Sequence, residues 1–193
     1  MYQTDSEIIN ALRNDDGKAF SILVSRHYEP LLRYGLHFTK DRALVSDCIQ
    51  DVFTTIWQNR YKTETITWLK QYLLIALKRR IIRVLSQNNR LEMAGENLPD
   101  YHFTMDFSIE DLIIEKQLEK ENADRLRQLL NQLPDRQKEV IYLVYYQQMD
   151  YEQVATVMNI SRQSVYNLLH ESIKKLRSFW KSAAIVAILL LQR

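Results

Sequence analysis

An all-α fold, divided into two small helical domains joined by an acidic linker, is what this sequence predicts, and three observations lead there. Only three Gly and three Pro occur in 193 residues, so the turn chemistry that β structure needs is scarce. Ala, Leu, Gln, Lys, Arg and Glu dominate the composition, and these are strong helix formers. Apolar residues recur at three- and four-residue spacing through two long blocks, and a stretch without that period separates them. An apolar content of 46% is enough to bury a core in each block.

The first block, residues 4–90, reads as consecutive amphipathic helices. Ile8, Ile9, Leu12, Phe20, Leu23 and Val24 keep helical spacing, broken once by Asp15-Asp16-Gly17. Leu31, Leu32 and Leu36 continue the pattern, and Thr39-Lys40-Asp41 marks a new helix start. Cys48, Val52, Phe53, Ile56 and Trp57 define the next apolar stripe. A polar connector, Thr63 to Thr67, precedes a long helix from Trp68 to about Asn88 that is apolar on one side and arginine-rich on the other. Residues 91–114 then form the linker, within an aperiodic stretch that holds two of the scarce Gly and Pro residues. The second block, 115–181, opens with the stripe Leu118, Leu126, Leu129, Leu130 and Leu133. Pro134 starts a helix in which Ile141, Leu143 and Val144 repeat. An apolar tail, 182–193, ends the chain.

Within the second block, "DYEQVATVMNISRQSVYNLLHESIKKLR" (150–177) has the spacing of a helix-turn-helix. Asp150 caps the first helix and Gln153 reaches back to it, an Asp variant of the capping box. Val154, Ala155 and Met158 face inward, with Ala155 small where two crossing helices meet. Asn159 suits a left-handed turn residue. Ile160 plugs the turn, Ser161 caps the second helix, and Val165, Leu168 and Leu169 complete the core face. The opposite side presents Arg162, Gln163, Tyr166, Asn167 and His170, then Lys174, Lys175 and Arg177. Arg, Gln and Asn can make paired hydrogen bonds to base edges. Lysines hold phosphates without reading sequence.

The charge pattern agrees with polyanion binding. Net charge is +2, but 70–95 carries about +5, 96–124 about −7 and 161–181 about +4. Ordinary solvated helix faces would give the same pattern. The single cysteine, Cys48, excludes an internal disulfide framework, fits a reducing cytosol and reads as a small core residue. Acidic and basic residues from Asp5 to Asp16 interrupt any apolar signal segment. His27, His37, His102 and His170 are dispersed, and there is no glycine-rich phosphate loop or metal-ligand spacing, so neither catalysis, metal nor cofactor is expected.

The stretch "LRQLLNQLPDRQKEVIYLVYYQQMDYEQVATVMNISRQSVYNLLHESIKKLR" resembles region 4 of a bacterial sigma factor. "AFSILVSRHYEPLLRYG" and "DCIQDVFTTIWQNR" resemble region 2 helices, and "TWLKQYLLIALKRRIIRVL" the helix that follows them. Both halves in this order resemble the extracytoplasmic-function (ECF) sigma factors, which contain two domains and a linker, and the end of the recognition helix resembles the Bacteroidetes branch. The resemblance implies a cytoplasmic protein that binds core RNA polymerase through the β′ clamp helices and the β flap and directs it to promoter DNA. It also implies an anti-sigma partner and a monomer when free.

Carried onto this sequence, the resemblance gives Asp47, Gln50, Asp51, Phe53 and Trp57 to polymerase binding, with Phe53 and Trp57 also packing internally. It gives Lys62, Thr63 and Thr65 to capture of a flipped base, and Lys78, Arg79, Arg80 and Arg83 to phosphates near −10. The −35 element falls to Arg162, Gln163, Tyr166, Asn167, His170, Lys174 and Lys175. Relatives usually have Asn where Ile75 stands and an acid at Arg79, and often arginines at Leu168 and Glu171, so individual base contacts differ here. The acidic linker resembles the segment that threads the RNA exit channel, and solvated disorder explains its charge equally well. The nine apolar residues Ala183 to Leu191 span about 14 Å as helix, too short to cross a bilayer. They suit packing on this chain or on an anti-sigma factor, or a weak interfacial anchor beside Trp180 and Lys181. The competing function is a stand-alone helix-turn-helix regulator that binds operators without polymerase. It lacks an expected sensing domain and leaves the upstream basic helix unexplained.

Overall fold

The computed structural model describes residues 2–66, 68–88, 101–105 and 128–179; the side chains of 63–65, 88, 178 and 179 are outside that description. The expectations for Leu118, Leu126, Trp180, Lys181, most of the linker and the apolar tail therefore lie outside the described residues. The described chain is helical and falls into two compact units, divided between Tyr101 and His102.

The N-terminal unit contains α1 (Asp5–Arg13), α2 (Gly17–Gly35), α3 (Arg42–Gln58), a 3-10 turn (Arg60–Thr65) and α4 (Leu69–Asn88). Each start has a local cause. Thr4 and Glu7 form a reciprocal capping box on α1. The Asp16 carboxylate accepts from the Lys18 and Ala19 amides at α2, and Asp41 accepts from the Leu44 amide at α3. Between α1 and α2, Asp15 adopts φ 65°, a left-handed conformation that Asp tolerates. The core gathers Ile8, Leu12, Leu23, Leu32, Ile49, Ile56, Leu73, Leu74 and Leu77, all buried. At Gly35 the α2 backbone comes so close to α3 that an added Cβ would lie 2.4 Å from Val45 Cγ1.

Polar groups inside this unit have specific partners. His27 is buried with Nε2 3.3 Å from Asp5 Oδ1. Burial pushes its pKa below the usual histidine value, against the opposing pull of Asp5. Cys48 is buried, and that burial pushes its thiol pKa up, as expected for an inert core cysteine.

In the C-terminal unit, residues 128–131 are helical, followed by α5 (Asp135–Ile141), α6 (Tyr151–Met158) and α7 (Arg162–Phe179). Leu129, Leu130 and Leu133 are buried as their spacing predicts, and Pro134 stands at the start of α5. The helix expected to run through Val144 instead widens into a π-helical turn at Tyr142–Tyr146. There the Tyr142 and Tyr146 rings stack at 5.8 Å, and Gln147 Nε2 donates to Tyr142 Oη at 2.8 Å.

One stretch of the expected linker departs from its polar, unpacked reading. Tyr101 lies against Phe38 in the N-terminal unit, with ring centroids 5.5 Å apart. Phe103 and Met105 are fully buried in the C-terminal unit, Phe103 against Tyr142 at 5.9 Å. Burying Phe103 and Met105 contributes about 1.5–3 kcal/mol each, which offsets part of the entropy cost of ordering a short segment that periodicity alone would leave as coil.

Candidate nucleic-acid interface

The α6–α7 pair has the local geometry of a helix-turn-helix. Asp150 Oδ1 accepts from the Gln153 amide at 2.9 Å, and Gln153 Oε1 accepts from the Asp150 amide at 3.1 Å. Val154, Ala155, Val157 and Met158 are buried. Asn159 ends α6 at φ 53°, ψ 52°, and the Ile160 amide closes the turn on Ala155 O at 3.0 Å. Ser161 Oγ accepts from the Ser164 amide at 3.1 Å and so caps α7. Val165, Leu169, Ser172 and Leu176 form the buried side of α7, whereas Leu168 and Ile160 are only half-buried.

Every residue expected on the reading face is exposed: Arg162, Gln163, Tyr166, Asn167, His170, Lys174 and Lys175, with Arg177 beyond them. Two ties order this face. Gln163 Nε2 donates to Asn167 Oδ1 at 3.0 Å, joining two amides one turn apart. The Tyr166 and His170 rings stack with centroids 6.3 Å apart. Arg162 Nε lies 4.0 Å from Glu152 Oε2 with both side chains mostly in solvent, so it remains able to turn toward a base.

In the N-terminal unit, Asp47, Gln50 and Asp51 are exposed along α3. Phe53, expected on the polymerase-binding face, is only 4% exposed and packs edge-on against Phe20. It is a core residue, because it continues the buried stripe Ile49, Val52, Ile56. Trp57 is half-buried between Phe20, at 5.1 Å, and the Arg60 guanidinium, at 4.5 Å from its ring centre.

Arg79, Arg80 and Arg83 are exposed on α4 as expected. They line a cavity of about 540 Å³ between α3 and α4, together with Asp51, Thr55 and Tyr72. Arg80 pairs with Asp51 across it. Lys78, grouped with these arginines in the sequence reading, is corrected by the structure. It is 1% exposed, donates to Tyr101 Oη at 2.9 Å and lies 4.3 Å from that ring's centre. The physical reason is helical phase, since Lys78 sits on the stripe of Leu74, Leu77, Ile81 and Ile82, all buried.

The connector before α4 is the 3-10 turn. Tyr61, 58% exposed, and Lys62 face solvent there. Thr63 and Thr65 belong to the turn, but their side chains lie outside the described residues. Sequence reasoning missed what holds the turn. Arg60 Nε meets Asp15 Oδ1 at 2.5 Å, and the bond holds the Asp15 carboxyl below the usual range while raising the guanidinium. Beside it, Asn10, Arg13, Asn14 and Tyr61 surround a polar cavity of about 360 Å³. The exposed aromatics of this region, Tyr61, Trp68 and Tyr72, were the available signal. Among the described residues no group of three or more His, Cys, Asp and Glu side chains is placed to hold a metal, and no helix is long and apolar enough to cross a membrane.

A helix-turn-helix with an exposed basic and amide-bearing recognition face, in a chain with a second helical unit bearing an arginine-lined helix, defines a DNA-binding protein of the transcription apparatus. Residues 23–91 match the family described as Sigma-70 region 2, and residues 123–176 match Sigma-70, region 4. The solved structure of CnrH in complex with the cytosolic domain of CnrY is similar in fold, with TM-score 0.58 and 18% identity, covering 90% of this chain and 95% of that one. A comparison with curated proteins finds no match. The chain belongs to the sigma-70 family, carrying its regions 2 and 4, and acts as a sigma factor that directs transcription by RNA polymerase from promoter DNA. The stand-alone regulator reading leaves the region 2 match without a role.

Proposed function

We propose a division of labour among the exposed faces. On α7, Arg162, Gln163, Tyr166, Asn167 and His170 read the −35 element in the major groove, while Lys174 and Lys175 hold its phosphates. On α3, Asp47, Gln50 and Asp51, with the exposed part of Trp57, dock on the β′ clamp helices of core polymerase. Lys62 and the 3-10 turn, including Thr63 and Thr65, capture an unpaired base of the −10 element, and Arg79, Arg80 and Arg83 neutralise phosphates beside it. The region 4 unit docks on the β flap. The protein works in the cytoplasm, where polymerase and DNA are, as a monomer released from an anti-sigma factor. The partnership of CnrH with a cytosolic domain of a second protein supports such a partner.

The observation that carries this reading is the face of α7. Seven side chains able to contact DNA are all exposed on the side opposite Val165, Leu169 and Leu176, so none is committed to the core. Each well-formed pair of hydrogen bonds to a base edge contributes on the order of 1–3 kcal/mol of discrimination. In a reconstituted holoenzyme, Arg162→Ala is expected to relax preference at one −35 position by roughly tenfold or more. Lys174→Ala is expected to weaken all sequences alike and lower the salt slope by about one. Uniform loss for Arg162→Ala across a randomised −35 library would overturn its assignment.

A further inference from the structure

We infer that Asp15 and Arg60 are positioning residues for promoter recognition: their ion pair holds Tyr61 as the wall of a pocket for one unpaired nucleotide. This rests on the reading of the 3-10 turn as the −10-binding element.

All three guanidinium nitrogens of Arg60 are used. Nε meets Asp15 Oδ1 at 2.5 Å, Nη1 donates to Trp57 O at 2.8 Å, and Nη2 donates to Tyr61 Oη at 2.9 Å. Tyr61 Oη in turn donates to Asp15 Oδ2 at 3.2 Å, closing the ring of contacts. The guanidinium also lies over both neighbouring rings, 4.5 Å from the centre of Trp57 and 4.4 Å from Tyr61. Asp15 is presented by its left-handed backbone between α1 and α2, 45 residues away in sequence.

Asp15 is 57% exposed but the Arg60 side chain only 17%, so the clamp helps to hold the turn as well as the ring. What the clamp does is immobilise a ring that remains 58% exposed. A fixed, exposed aromatic is a preorganised stacking surface, and stacking accepts any base. The polar cavity it walls, about 360 Å³, falls within the roughly 300–1,000 Å³ range of ligand sites. Its other walls suit a nucleotide. Asn10 and Asn14, one turn apart on the α1 side, bring amides to a base edge, and Arg13 brings positive charge to a phosphate.

The test compares Tyr61→Ala, Arg60→Lys and Asp15→Asn in holoenzyme with core RNA polymerase. The lysine keeps the charge but loses the fork, and the asparagine tolerates the left-handed backbone while losing the carboxylate. Three quantities are read: preference at each −10 position, quenching of 2-aminopurine placed in the −10 non-template strand, and affinity for core with the melting temperature. All three variants are expected to lose about tenfold in preference at one −10 position and most of the quenching, with core affinity within twofold and melting within a few degrees. If Tyr61→Ala loses preference but both clamp variants keep it, the positioning role is overturned while the −10 reading stands. If Tyr61→Ala keeps preference and quenching, the −10 reading of this turn itself fails. Parallel losses of core affinity and melting temperature would mean a purely structural clamp and overturn the proposal.

Discussion

Lys78 tests whether a basic run in this sequence marks DNA contacts or fold. Its ammonium is almost fully buried and bonds to Tyr101 Oη at 2.9 Å. Tyr101→Phe keeps the ring, and with it the contact between charge and aromatic face at 4.3 Å. It removes the hydroxyl acceptor. A hydrogen bond to a charged group contributes about 1.5–3 kcal/mol, and the other contacts of Lys78 persist, so a loss of about 2 kcal/mol is expected. For a unit of this size that is roughly a 10 °C fall in melting temperature. Lys78→Met gives the complementary measurement, because an apolar chain of similar length fits the stripe of Leu74, Leu77, Ile81 and Ile82 without a buried charge. Its stability is expected within about 1 kcal/mol of the parent, and the salt slope of promoter binding by the holoenzyme is expected unchanged. Arg83→Ala, from the exposed side of α4, is expected to lower that slope by about one. Calorimetry and salt-titrated DNA binding on the same three variants decide the matter. A salt slope reduced by Lys78→Met as much as by Arg83→Ala would refute the burial argument.

Three further outcomes follow from the same packing. Gly35→Ala is expected to cost about 1–3 kcal/mol in urea unfolding, because Val45 Cγ1 stands 2.4 Å from the new methyl, whereas Gly17→Ala meets nothing within 4 Å and is expected to be neutral or stabilising. Asn159→Gly is expected to be nearly silent and Asn159→Val to cost about 1–2 kcal/mol, since the turn requires φ 53° and a β-branched residue resists it; equal unfolding midpoints for the two would refute the turn argument. His27 has a folded pKa below its unfolded value, so below about pH 6.5 the unfolded chain binds more protons than the folded one and stability falls with acidification. Urea midpoints from pH 7.5 to 5 measure this slope, and His27→Asn is expected to flatten it; a parent protein that gains stability toward pH 5 would contradict the burial of a neutral imidazole.

Much of the fold was legible because its causes are local. The caps at Asp41 and Asp150, the left-handed Asn159 and the Ser161 start are decided by residues within three positions of one another. Helical phase carried further information than the charge run did. Phe53 belongs to the apolar stripe of α3 and is buried there; Lys78 stands at the same kind of register on α4, so periodicity applied strictly would have assigned it to the core as well. The packed segment from Tyr101 to Met105 has no such signal. Its aromatic and methionine side chains find apolar surface only after the helices around them have formed, and no spacing within five residues reports that.

The candidate sites show the same limit more sharply. Whether a residue lies on the α7 face follows from a period of 3.6 residues, and the exposure of Arg162, Gln163, Tyr166, Asn167, His170, Lys174 and Lys175 follows it in turn. What a polar side chain holds while it lies there depends on partners that no period relates. Asp51 and Arg80 are 29 residues apart and join the face assigned to polymerase with the face assigned to DNA. Asp15 and Arg60 are 45 apart and fix the ring of Tyr61. A helix can exchange one exposed cation for another with little effect on its own formation, so local sequence preference places no constraint on such pairs. Their constraint comes from the geometry that brings two elements together. The charged residues that tie elements across the fold are therefore the ones whose substitution is expected to change promoter preference while leaving the helices intact.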